Sequence, residues 1–332
     1  MELQRRTALK AGLGALVAPA VAHAQTPPKL ALTTTWPDGH LHTVNLRRFA
    51  DEARQATGGA FDIDVKSGGH LGFTGPEQLR AVRDGLVAMA DSMNIQQAGD
   101  EPMLGVEALP FLCASLDELK VLLNHVRPEY DKVAQRNNQT ILYVAPWPAQ
   151  YLHLKLKAET ADGLRAIKIR MPDRIGQEIA AAIGMAPVSM PWADTLPALE
   201  SGAVSGVATS TMSAVDGKLW ERLKFFHATS HSWASQIVTI NNDSWKKIAP
   251  ANQKIVAELA SRLEPEFWSA SAQVDRDGST RLIAGGMQRV ETPPAMMADL
   301  RKRTAPMIAG YMDRVPESAA PLAAYLAEMK RG

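Results

Sequence analysis

Short β-prone runs alternate with stretches of helical spacing along this chain, and the pattern starts over near residue 150. Alternation of that kind builds helix-covered, mostly parallel sheets. Lys29–Thr35, Phe61–Lys66, Leu86–Met93 and Thr140–Ala145 read as strands of a first unit. Between them, Leu41–Thr57, Pro76–Asp84 and Ser115–Asn137 read as helices. In a second unit, Gln150–Lys157, Ile167–Ile169, Ala186–Ser189, Val204–Thr209 and Phe225–Ala228 read as strands. Asp173–Ile183, stopped by Gly184, and Asp194–Glu200 read as its helices. Gln236–Asn241 is a further strand, Asn252–Ile283 a long helix, and Pro294–Lys330 a helical tail.

The fold expected is α/β: two lobes of the periplasmic-binding type with hinge crossings and a long helix spanning both. Crossings fall at about 146–150 and 234–238. Lobe I takes 27–148 plus about 237–275, and lobe II takes 149–236 plus about 276–332. Such a pair can close on a ligand in the cleft between the lobes.

The first 24 residues read as a cleaved leader. Arg5-Arg6 gives a twin-arginine start, Ala11–Val21 a weakly apolar stretch, and Ala22-His23-Ala24 a small-x-small cleavage site. A membrane anchor is the alternative, but the apolar run is short and glycine-rich. The full chain has 36 basic and 35 acidic residues. Losing Arg5, Arg6, Lys10 and Glu2 leaves 33 and 34, a net charge of −1 over 308 residues. That balance gives no footprint for nucleic acid. Cys113, the single cysteine, lies in an apolar run and reads as a buried core thiol.

Ile167-Lys168-Ile169-Arg170-Met171-Pro172 places an arginine at the C-terminal edge of a short strand, where open α/β sheets present groups to ligands. Its planar fork matches a carboxylate. The plainer reading has Arg170 tie down a helix or pair with Asp173 at the surface. Trp36 follows the first strand and either faces the cleft or staples the next helix. Trp147, Gln150 and Tyr151 share the first crossing, and Trp147 reads equally as hinge packing. Phe73 follows a glycine-rich loop, and Asn94 ends the third strand. Thr209 and Ser210 end another strand, and Trp233 precedes the second crossing. Gly68–Gly72 lacks phosphate-loop spacing, Ser210–Ser213 lacks a nucleophile elbow, and His40-x-His42 alone is too few ligands for a metal.

The stretch Gly163–Val207, with Arg170, Pro172, Ile183-Gly184-Met185-Ala186-Pro187, Asp194 and Ala198-Leu199-Glu200-Ser201-Gly202-Ala203-Val204, resembles the DctP-type solute-binding proteins of TRAP transporters. Gly85–Ala90, Leu109–Leu112 and Thr229–His231 support it. The resemblance covers 28–330. It implies a periplasmic receptor, not an enzyme, that binds a small organic acid and delivers it to a membrane permease. It also implies a salt bridge from Arg170 to the ligand carboxylate. Two departures stand out. Gln150 occupies the place of a second arginine, and Thr209 stands where an asparagine often touches the ligand. One cation and many rings together point to an aromatic or large apolar monocarboxylate, including 2-oxo or 2-hydroxy acids. No cofactor is expected; some relatives use a cation beside the carboxylate, and nothing in this sequence identifies one. A sensor module, or an exported enzyme on the same crevice, are the alternatives.

Overall fold

The computed structural model describes residues 29–190 and 192–330. The leader expected at 1–24 lies outside them. The strands are β1 (Leu30–Thr33), β2 (Ile63–Lys66), β3 (Met89–Met93), β4 (Gln139–Pro146), β5 (Gln150–Leu154) and β6 (Lys168–Met171). They continue with β7 (Ala186–Ser189), β8 (Gly206–Ser210), β9 (Phe225–Ala228), β10 (Ser235–Asn241) and β11 (Gln288–Glu291). The helices are α1 (Leu41–Ala56), α2 (Gln78–Arg83), α3 (Leu116–Arg136), α4 (Arg174–Ala182) and α5 (Trp192–Ser201). After these come α6 (Thr211–Asp216), α7 (Asn242–Trp245), α8 (Pro250–Ala284), α9 (Pro294–Arg314) and α10 (Ala319–Glu328).

Two sheets form, in the orders β2-β1-β3-β10-β4 and β11-β9-β5-β8-β6-β7. Each contains one reversed strand. β10 runs antiparallel to β3 and β4, and β5 runs antiparallel to β8 and β9. The cause is the crossing itself. β4 and β9 end at the waist, so the chain that continues through it enters the other sheet running away from the waist. All the other strands of both sheets point their C-terminal ends at the same crevice, the usual ligand position in open α/β sheets.

Three large apolar cores among the described residues hold this arrangement. Leu32, Phe49, Phe61, Tyr143 and Phe267 pack one face of the first sheet against α1 and α8, which lie side by side. Leu154, Leu164, Ile169, Met171, Ile179 and Leu300 fill one face of the second sheet. A third cluster spans the waist, with Met103, Tyr130, Val144, Tyr151, Val207, Trp233 and Tyr325. Cys113 is buried there, its Sγ 3.4 Å from the Tyr325 hydroxyl.

Helix α8 fastens both lobes from behind. On the first lobe, Glu264 accepts the Val144 N–H at 3.0 Å and the Trp268 indole donates to the Val144 carbonyl at 3.0 Å. Gly278 lets α8 approach α6 closely, because a Cβ there would sit 2.8 Å from Thr211.

Two features depart from the sequence reading. Gln288–Glu291, with one apolar residue, forms β11, an edge strand parallel to β9. The tail is broken by a turn at Pro316–Ser318, and α10 returns to pack on α3. The Tyr325 hydroxyl donates to the Leu112 carbonyl at 2.8 Å, fixing that return.

Candidate functional site

Alternation along β6 sends Ile169 and Met171 into the core of the second lobe and turns Arg170 to the opposite face, beside Val188 and Val207. Arg170 is 5% exposed. Its Nε donates to the Met190 carbonyl at 3.1 Å and its Nη1 to the Ala208 carbonyl at 3.3 Å. The guanidinium carbon lies 5.6 Å from the centroid of Trp192. These contacts orient the fork at the C-terminal edge of β6, β7 and β8.

Burial lowers the Arg170 pKa to about 10, opposed by the charge of Asp173. The group is therefore still a cation at neutral pH. The surface-pair reading does not hold, because Asp173 accepts the Gly176 N–H at 2.8 Å as the N-cap of α4. No carboxylate among the described residues comes within 4.0 Å of the guanidinium. A buried cation without an anion is costly, and an arriving carboxylate removes that cost.

Register places Gln150 opposite Ser210 and Tyr151 opposite Thr209 at the same edge. Gln150 is half-buried and its side chain makes no hydrogen bond among the described residues. Thr209 is buried. Ser210 is used locally, its hydroxyl accepting the Ser213 N–H at 3.3 Å to cap α6.

On the first lobe, Trp36 after β1 and Trp147 after β4 meet edge to face, with centroids 4.8 Å apart. His40 stacks on Trp36 at 4.8 Å, and His42 lies 4.8 Å from Trp147. The Trp147 indole points its N–H at the Gln236 amide oxygen, 3.5 Å away.

Four expected site residues have partners within the fold. Asn94 donates to the Glu107 carboxylate at 2.7 Å and accepts the Ser235 N–H at 3.0 Å. Tyr151 donates its hydroxyl to Asp275 on α8. Trp233 donates its indole N–H to the Cys113 carbonyl at 2.8 Å. Phe73 packs against a small cluster of Ala81, Val82, Val87 and Ala90.

The sequence reading missed two buried carboxyls beneath the first-lobe edge. Asp91 accepts from Thr34 Oγ1 and Gln236 Nε2, both at 2.9 Å, and burial raises its pKa to about 7. Glu107 accepts from Ser235 Oγ at 2.6 Å and the Tyr130 hydroxyl at 3.0 Å, and burial raises its pKa to about 7 as well. The signal was there: a lone acid inside Met89-Ala90-Asp91-Ser92-Met93 and another inside Gly105-Val106-Glu107-Ala108-Leu109.

Comparison with known proteins agrees with this fold. The family model described as bacterial extracellular solute-binding protein, family 7 (DctP) matches residues 32–314. The 2,3-diketo-L-gulonate-binding periplasmic protein YiaO of Escherichia coli is 22% identical, over 65% of this chain and 67% of its own. A Bordetella pertussis extracytoplasmic solute receptor, DctP7, which binds pyroglutamic acid, superposes with a TM-score of 0.82 at 23% identity, covering 90% of this chain and 99% of that one. A TRAP periplasmic solute-binding protein of Ralstonia eutropha with bound (S)-2-acetolactate gives a TM-score of 0.80 at 20% identity, covering 92% and 99%. The chain belongs to the DctP family of bacterial extracellular solute-binding proteins, the receptors of TRAP transporters.

Proposed function

We propose that this receptor works in the periplasm, closes on a compact organic monocarboxylate and hands it to a TRAP-type permease in the membrane. The observation that carries the reading is Arg170, a buried cation at the crevice edge with no carboxylate partner among the described residues. Gln150 supports one carboxylate rather than two, since it adds donors without charge. The rings that favoured an aromatic ligand pack on one another, Trp36 against Trp147 and His40, which leaves little open face for stacking. A 2-oxo or 2-hydroxy acid therefore fits better than a flat aromatic or large apolar one. The acids bound by the Bordetella and Ralstonia neighbours, pyroglutamic acid and acetolactate, are compact monocarboxylates, the second a 2-hydroxy acid. No helix among the described residues is long and apolar enough to cross a membrane. No cofactor and no covalent step enter the reading; binding shifts the population of closed lobes. A thermal-shift screen of Gln25–Gly332 against 2-oxo, 2-hydroxy, aromatic and dicarboxylic acids tests it. A compact monocarboxylate at about 100 times its Kd should add about 2.7 kcal/mol of stability. A response to dicarboxylates alone would overturn it.

A further inference from the structure

Three ring nitrogens at the first-lobe edge of the crevice are buried without a hydrogen-bond partner among the described residues. They are Nε1 of Trp36 and both nitrogens of His42. His42 is 2% exposed and lies in the first turn of α1, its own N–H capped by His40 Nδ1 at 3.3 Å. Trp147 covers it, and Trp36 meets the same indole, so the orphaned groups share one box of rings. Each buried polar group left unpaired costs about 1–3 kcal/mol, whereas apolar rings would pack there without that loss. A bound group that completes these atoms accounts for their presence.

Burial, with His40 nearby, holds the His42 imidazole neutral. A neutral imidazole offers one donor and one acceptor, and Trp36 offers one donor. The box therefore suits an uncharged oxygen and disfavours a second carboxylate, which would be desolvated without a countercharge.

We infer that Trp36 and His42 form a second recognition point, which reads an uncharged carbonyl, hydroxyl or amide oxygen on the acid that Arg170 anchors. The inference rests on the Arg170 reading above and narrows it. The ligand is a monocarboxylate with a hydrogen-bonding oxygen, not a plain hydrocarbon acid. Trp147 and His40 shield the box in this conformation, so the acid reaches it when these two rings move aside.

The test is calorimetric titration with matched acids: pyroglutamate against cyclopentanecarboxylate, and 2-hydroxyisovalerate against isovalerate. Wild type, His42→Phe, Trp36→Phe and Arg170→Ala are compared. At least one oxygenated acid should bind wild type about tenfold or more tighter than its plain twin. His42→Phe should cut that preference to about threefold or less, and Trp36→Phe should reduce it independently should the first variant fold poorly. Equal binding of both twins by wild type overturns the inference. So does a preference that survives in both ring variants, including when their melting temperatures have changed, because that is the signature of packing alone. If Arg170→Ala binds like wild type, the anchor reading fails instead, and the preference in the other variants shows this separately.

Discussion

The Tyr151 hydroxyl donates to the Asp275 carboxylate at 3.0 Å, and Thr211 donates to the same carboxylate at 2.7 Å. The first strand of the second lobe is thereby tied to the helix that Glu264 and Trp268 fasten to Val144 in the first. Residue 151 thus belongs to the strap behind the crevice. Helix α8 grips the chain on both sides of the first crossing, where any closing motion must be absorbed.

Tyr151→Phe removes one donor from Asp275 and leaves Thr211 in place. It should lower stability by about 1 kcal/mol in urea unfolding. Ligand affinity should stay within about twofold of wild type, since the bond lost is on the α8 side. A large loss of affinity with unchanged stability would return Tyr151 to the ligand.

Asn94→Ala should act on stability first. The amide bridges Glu107 and the Ser235 N–H, so truncation takes one of three donors from a buried carboxyl and leaves a buried backbone donor unpaired. The expected loss is about 3 kcal/mol, read as a lower denaturant midpoint with the slope unchanged.

These two positions show where sequence reading stops. Periodicity and stop signals located most strands to within a residue or two, and β7 and β9 fall on the expected residues. The placement of Arg170 at a strand edge was legible because its strand is short, its neighbours alternate, and a proline and helix follow. Asn94, Tyr151 and Trp233 also stand at strand ends, yet their partners Glu107, Asp275 and Cys113 come from other elements. Nothing local announces those partners. The edge strand β11 was invisible for a similar reason: Gln-Arg-Val-Glu has no strand signature, and β9 supplies the pairing. The reversal of β5 and β10 follows from the crossings, which the residue pattern located without their directional consequence.

The buried acids set a pH dependence of definite sign. Burial raises the folded-state pKa of Asp91 and of Glu107 to about 7. The unfolded chain holds such protons only to about pH 4. Between about pH 4 and 7 the folded state therefore binds more protons, and these groups favour folding less as pH rises. Asp91→Asn keeps an acceptor for Thr34 and Gln236 without a titrating proton. Relative to wild type, it should gain about 3 kcal/mol in urea unfolding between pH 4.5 and pH 8. A constant difference across that range would show that Asp91 does not titrate in it.

The central claim is that Arg170 is the anion anchor, and its most direct test is the affinity of Arg170→Lys and Arg170→Ala for the best acid found with wild type. Lysine keeps the charge but cannot keep both carbonyl contacts and a planar fork, so affinity should fall about tenfold or more. Alanine should lose about a hundredfold or more, with the fold intact by circular dichroism. Equal binding by all three proteins would contradict the account, and would leave Arg170 as a group that only ties β6 to Met190 and Ala208.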